Sequence, residues 1–405
     1  MVFSSMVFLW LFLPVVLVGG FLFREIRLQN LFLLLMSLLF YAWGEPHYLI
    51  LLLLSIGMNW AFGLGMERTK SHKKCVLVLS VLCNLALLGY YKYADFLLNT
   101  VDALLPGAGL PRLHLPLPIG ISFFTFQAMS YVIDLYRGEY AAETNLLDLA
   151  LYISFFPQLI AGPIVKYRDI HEEIHSRRTV SLSNLATGAR RFIYGLGKKV
   201  ILSNLIASCA TTFLSAEETQ TSSLMAWTGV VLYALQIYYD FSGYSDMAIG
   251  LGRMFGFHIL ENFNLPYISG SIQEFWRRWH MSLSGWFKEY LYIPLGGNRK
   301  GELRTCINLL IVFATTGLWH GASWNFVCWG LWHGLFIVIE RLGFSNVLKK
   351  HRVFGHIYAL LVEVTGWSFF AVDSAKKAFH LLGIMFRPLL FSHTPSVFYT
   401  SMTPQ

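Results

Sequence analysis

Two Trp-His-Gly units stand inside an otherwise apolar run: Gly317-Leu318-Trp319-His320-Gly321-Ala322-Ser323-Trp324, then Gly330-Leu331-Trp332-His333-Gly334. Imidazole is the side chain best suited to take or give a proton near neutral pH. An ionisable residue within such a run is costly unless it is satisfied, which makes it a candidate for function. His320 is therefore the first candidate for a general base. A third histidine, His280, stands in Glu274-Phe275-Trp276-Arg277-Arg278-Trp279-His280-Met281-Ser282-Leu283-Ser284. The bland alternative for each is a hydrogen-bonded contact between helices. On one unbroken helix His320 and His333 would lie about 140° apart at roughly 100° per residue, so they would not share a face and one of them, His333, is expected to be structural.

Other polar residues are weighed the same way. Asp240 and Asp246 fall inside a predicted span, in Tyr238-Tyr239-Asp240-Phe241-Ser242-Gly243-Tyr244-Ser245-Asp246. They suit orienting a histidine or pairing with an arginine, and a structural network is the favoured reading, since polar groups commonly join helices in membranes. His171-Glu172-Glu173-Ile174-His175 fits the two-histidine zinc helix. Its surroundings read as a solvated basic loop with no obvious third ligand and no apolar wall, so no metal site is expected. The chain has no phosphate-binding G-x-x-x-x-G-K-[ST] and no G-x-S-x-G elbow.

The elements that must position these residues follow from composition. Of 405 residues, 55% are hydrophobic, 16% aromatic and only 13% charged. Ordinary soluble domains carry about 25% charged residues, so a soluble globular protein is excluded. The 31 Lys and Arg against 23 Asp and Glu give +8, but the basic residues cluster in short segments between apolar spans, the positive-inside pattern and not a nucleic-acid footprint. The five cysteines show no metal-type spacing and read as packing residues.

Apolar stretches at 1–23, 28–43, 47–66 and 75–91 predict four spans. The first is expected to be a retained span and not a signal peptide, because its basic residues follow it. Basic loops 24–27 and 67–74 then place the N-terminus outside. Residues 92–116 read as an outer loop and 117–136 as a returning span. The segment 146–165, broken by Pro157 and Gly162-Pro163, reads as re-entrant, because a full crossing would put the basic stretch 166–191 outside. Spans at 192–214 and 224–251 follow, joined by a loop at Ser215-Ala216-Glu217-Glu218-Thr219. Basic and aromatic residues interleave over 253–304 and suggest interfacial helices, and 305–340 is long enough for a hairpin. The fold expected is a single all-α polytopic membrane domain over 1–405, ending in a polar tail at 392–405.

Several blocks carry a resemblance. Pro118-Ile119-Gly120-Ile121-Ser122-Phe123-Phe124-Thr125-Phe126-Gln127, Ala161-Gly162-Pro163-Ile164, Tyr239-Asp240-Phe241-Ser242-Gly243-Tyr244-Ser245-Asp246, Phe275 to Ser284, and Leu318-Trp319-His320-Gly321 resemble the membrane-bound O-acyltransferase family. The likeness extends over roughly 40–345, and Tyr290-Leu291-Tyr292-Ile293-Pro294-Leu295-Gly296-Gly297-Asn298 is similar to the bacterial branch that acetylates extracytoplasmic polysaccharides such as alginate. The resemblance implies a bundle of about 9–12 transmembrane and re-entrant helices around a central tunnel, with His320 catalytic and His280 the second important histidine. It implies acetyl-CoA as a cytosolic acyl-donor substrate, no permanently bound cofactor, and a multi-pass protein of the bacterial inner membrane. Its expected partners are membrane lipid, an extracytoplasmic acetyltransferase and a polysaccharide acceptor, with no nucleic acid. Donor phosphates are expected near Arg277, Arg278, Lys288 or Arg299, and the thioester in a tunnel lined by Trp276, Trp279 and Trp319. A transporter or flippase of envelope precursors is the alternative, since it also uses broken helices with buried His and Asp.

Overall fold

The computed structural model describes all residues except 70, 106–108, 179, 216–221 and 388–405. The expected loops at 67–74, 92–116 and 215–219 therefore lie partly outside the described residues, and the polar tail 392–405 lies wholly outside. The described residues are helical, with no strand among them. Five helices are long and apolar enough to cross a membrane: Ile26–Gly44, Leu49–Arg68, Lys73–Leu104, Trp324–Lys350 and Arg352–Ala371. The chain is an all-α, multi-pass membrane protein.

The fold divides into two units, Met1–Leu196 with Tyr244–Glu261, and Gly197–Gly243 with Asn262 onward. In the first unit, α1 (Leu13–Leu22), α2 (Ile26–Gly44), α3 (Leu49–Arg68) and α4 (Lys73–Leu88) follow in order. The helix of α4 does not stop at 91 as expected but runs on to Leu104. Lys92, which reads as a span end, instead donates to Ser122 Oγ at 2.8 Å. Asp95 then accepts from the Leu113 and Leu115 N–H groups, which tie the segment that follows back onto this helix.

The break expected within 146–165 is present. After α5 (Ile121–Arg137), α6 (Leu146–Ser154) stops, α7 (Phe156–Leu159) carries Pro157 in its first turn, and α8 (Tyr167–His175) follows an irregular stretch. Nearly all of it is buried. Side chains replace the missing helical partners: Phe156 N–H donates to Ser37 Oγ, Gln158 Nε2 to Tyr152 O, and Tyr152 OH to Val165 O. Irregular backbone survives at membrane depth only with such substitutes. The stretch 166–191 is not a solvated loop, because Lys166, Ile170, Ile174 and Arg178 are buried.

After α9 (Leu182–Gly197) and α10 (Asn204–Leu214), the 32-residue α11 (Ser223–Met254) begins in the second unit and ends in the first. The segment 253–304 departs from the interfacial reading. It holds only short helices, α12 (Ile272–Trp276) and α13 (Met281–Phe287), and Trp276, Trp279, Trp286 and Phe287 are buried core. Aromatic rings serve a core as readily as a headgroup layer, so their types alone do not separate the two.

The expected hairpin forms from α14 (Glu302–His320) and α15 (Trp324–Ile339). Glycine sets its closeness: a Cβ on Gly330 would lie 2.1 Å from Phe313 O, and one on Gly317 would lie 2.1 Å from Phe326 O. The obstacle is backbone in both cases and cannot swing away. We therefore expect Gly330→Ala to cost at least about 3 kcal/mol and to reduce the yield of monodisperse protein. Gly57→Ala on α3, where nothing lies within 4 Å, should leave the thermal midpoint unchanged or slightly raised.

Candidate active site

His280 is positioned by a short pairing between two irregular segments. Asn264 N–H donates to Arg278 O and Met281 N–H donates to Asn262 O, each at 2.9 Å. His280 itself has φ 43° and ψ 55°, the left-handed region, which costs a side-chain-bearing residue roughly 1–2 kcal/mol. One atom holds the turn. Asn262 Oδ1 accepts from Ser282 N–H at 3.1 Å, from Ser282 Oγ at 2.8 Å and from His280 Nδ1 at 3.1 Å. A backbone N–H only donates, so that Asn262 atom is the oxygen and His280 Nδ1 carries the proton. Neutral His280 then presents a lone pair at Nε2, which is buried and has no hydrogen-bond partner among the described residues.

His320 is the last residue of α14. Its ring centroid lies 6.4 Å from that of His280, 5.0 Å from Trp329 and 5.3 Å from Phe370. The two histidines singled out from sequence are thus brought together. His333 is on the other arm of the hairpin, so the 140° argument for one helix does not apply. Its ring packs on Trp329 at 5.0 Å and Trp276 at 5.4 Å, and Nδ1 lies 3.6 Å from the buried Glu363 carboxylate. Trp329 therefore stands between His320 and His333.

A cavity of about 280 Å³ opens beside this cluster. Its polar wall includes Arg277, Ser284, Lys288, Thr316 and Arg341, and its apolar wall includes Trp276, Leu309, Val312 and Phe313. Neither histidine lines it, but Ser284 is one helical turn from His280 and Thr316 one turn from His320. Trp276, Arg277 and Lys288 are where a donor site was expected. Arg278, Trp279, Arg299 and Trp319 do not line the cavity. Arg278 is held by Glu274 Oε1 at 2.9 Å and by Asn264 O, Trp279 packs between Phe275 and Trp367, Arg299 is exposed on a turn, and Trp319 packs beside His280 at 6.0 Å.

Asp246 pairs with Arg191 at 2.8 Å, and Asp240 with Lys199 and Ser203. Sequence reasoning missed Asn262 and Arg341. Asn262 gives no signal beyond an amide in a loop, and Arg341 follows the apolar run, where it reads as a basic flank.

The H-E-x-x-H histidines lie on α8, with rings 4.6 Å apart. The expected lack of a neighbouring ligand is corrected, since Glu143, Asp148 and His175 offer atoms within 4.8 Å of one another. These groups are already engaged: His175 Nε2 is 2.8 Å from Glu143, which accepts from Tyr167 OH and Asn145 N–H, and Asp148 accepts from Asn30 and Asn145. The cluster clamps α8 to α2 and to the start of α6.

A buried His280 and a half-buried His320 thus face one another beside a cavity with a basic rim, in an all-α membrane fold. The family model for MBOAT, the membrane-bound O-acyltransferase family, matches residues 139–372. Over 394 residues the chain is 43% identical to the probable alginate O-acetylase AlgI of Azotobacter vinelandii, covering 95% of this chain and 78% of that protein. It is 38% identical over 418 residues to the peptidoglycan O-acetyltransferase of Helicobacter pylori, covering 94% and 79%. It is also 29% identical over 243 residues to the teichoic acid D-alanyltransferase of Bacillus subtilis, covering 58% and 61%. The chain belongs to the membrane-bound O-acyltransferase family, and it is an enzyme, an O-acetyltransferase.

Asn262 is a positioning residue in this geometry. Replacing it with Ala removes the acceptor that orients His280 and orphans the Ser282 N–H. We expect Asn262→Ala to lower kcat by about 10–100-fold with donor KM within about twofold, while Asn262→Asp, which keeps an acceptor oxygen, loses less. Steady-state kinetics on purified protein, with a thermal midpoint measured on the same samples, check this.

Proposed function

We propose that this protein transfers acetyl from cytosolic acetyl-CoA toward hydroxyls of an extracytoplasmic polysaccharide, alginate or a similar polymer, with His320 as catalytic base. The observation that carries this reading is the approach of His280, in its left-handed turn, and His320, at a helix end, to 6.4 Å, one turn beyond a cavity with a cationic rim. The relatives' printed names supply the substrate class: alginate for one, peptidoglycan for another. The protein is assigned to the bacterial inner membrane with its N-terminus outside, working with an extracytoplasmic acetyltransferase partner.

The chemistry needs a base for the hydroxyl and stabilisation of the tetrahedral oxyanion. In this reading the donor's phosphates meet Arg277, Lys288 and Arg341, and its uncharged arm lies along Leu309, Val312 and Phe313. His320 removes the hydroxyl proton as the oxygen attacks the thioester carbonyl. The C–S bond then breaks, and the proton passes to the leaving thiolate. His280, neutral in the tautomer that Asn262 supports, is a proton acceptor at Nε2. It suits orienting the hydroxyl and not, in that state, polarising the carbonyl. A relay through acyl-His320 is the second reading.

The first test is polysaccharide O-acetyl content in cells lacking the gene, complemented at matched membrane expression. Wild type and His171→Ala should restore acetylation, and His320→Ala should fall by about 10²–10⁴-fold; full rescue by His320→Ala would remove its assigned role. Arg277→Gln with Lys288→Gln should raise donor KM about tenfold or more with kcat nearly unchanged. Hydroxylamine-sensitive label from acetyl-CoA alone, lost in His320→Ala, would favour the relay.

A further inference from the structure

We propose that a second cavity, wholly within the first unit, binds the phosphodiester headgroup of an anionic phospholipid. It measures about 280 Å³ and is lined by Arg24, Arg177 and Arg178 together with Phe21, Phe23 and Phe255. No acidic residue lines it. Three arginines from segments some 150 positions apart in sequence line it together, and guanidinium forks match phosphate oxygens in geometry as well as charge.

Arg178 is the fixed member. Its side chain is buried, its two terminal nitrogens donate to Glu173 O and Asn30 Oδ1 at 2.6 Å, and its guanidinium lies over the Phe257 ring at 4.5 Å. These neighbours orient the cation without neutralising it. Burial lowers it to about 10, so it remains charged at neutral pH. Arg24 and Arg177 are exposed and have no ion-pair partner among the described residues, which leaves their forks available. The Asp148 and Glu173 carboxylates offset part of that burial cost, but neither lines the cavity, and a phosphate there would add an anion on the open side of the cation.

The apolar half of the site selects the source. Phe21, Phe23 and Phe255 would give nothing to a free, hydrated phosphate. They continue onto the outward surface of α1, where Val18, Phe21 and Leu22 are 60%, 49% and 71% exposed, a face suited to acyl chains. Basic pockets at span ends bind lipid headgroups on the same principle.

The test uses the full chain in bilayer nanodiscs of phosphatidylcholine, with or without added phosphatidylglycerol, reading the thermal midpoint. Phosphatidylglycerol should raise the wild-type midpoint by several degrees. Arg24→Gln with Arg177→Gln should match wild type in phosphatidylcholine and lose the increment, and native mass spectrometry should show one retained phospholipid lost with it. Lys73→Gln with Lys74→Gln, which removes equal charge from the exposed start of α4, should keep the increment. Loss in both double variants, or retention in both, would overturn the pocket in favour of diffuse surface attraction. An equal shift from inorganic phosphate alone would overturn the lipid as ligand. If the arginine double variant does not accumulate, Arg177→Gln alone serves, with an undiminished increment counting against the proposal.

Discussion

Hydrocarbon offers no hydrogen bonds, so each departure from continuous helix must carry its own replacement partners. That constraint orders this structure. Between Ser154 and Tyr167 the helix is interrupted, and Ser37, Gln158 and Tyr152 take up the freed backbone groups. Around His280 the chain is irregular again, and Asn262 Oδ1 gathers three donors. In both places a side chain does for the backbone what water would do in a soluble protein. In the second place it also fixes which imidazole nitrogen carries the proton, so a structural requirement decides a chemical property.

The two histidines are held by different means. His280 sits in a left-handed turn secured by hydrogen bonds, whereas His320 ends a helix and is hemmed by Trp319, Trp329 and Phe370. The glycines of the hairpin matter to the second. Because Gly317 and Gly330 let the two backbones approach within contact, Trp329 reaches the His320 ring. A wider hairpin would leave a gap at that ring, and the helix end would lose the wall that orients it.

Much of this was legible in the chain. The histidines within apolar runs, the broken segment at Pro157 and the hairpin over 305–340 follow from costs that any membrane sequence must meet. Three of the seven residues expected at a donor site, Trp276, Arg277 and Lys288, do line the cavity. What stayed hidden depends on geometry that residue types do not encode. Arg277 and Arg278 are identical as letters, yet a single step along the chain separates a cavity wall from an ion pair with Glu274. Lys92 looks like a span end because its charge is visible, while its partner Ser122, 30 positions away, is not. Asn262 looks like any loop amide until the pairing with Arg278 and Met281 places it beneath His280.

The arrangement of charge adds a further step. Arg277, Lys288 and Arg341 stand at one cavity while Asp240, Asp246 and Glu363 are each beside a basic group or histidine of their own. No acidic side chain lines that cavity, so its cations are not neutralised from its walls. In a low-dielectric surrounding such cations act over longer distances than they would in water. A polyanionic ligand would accordingly meet favourable charge at the rim and an apolar wall beyond it. In the proposed reading such a cavity would order a donor end to end, anionic part at the rim and uncharged part toward the histidines, before any contact specific to the reacting atoms is made.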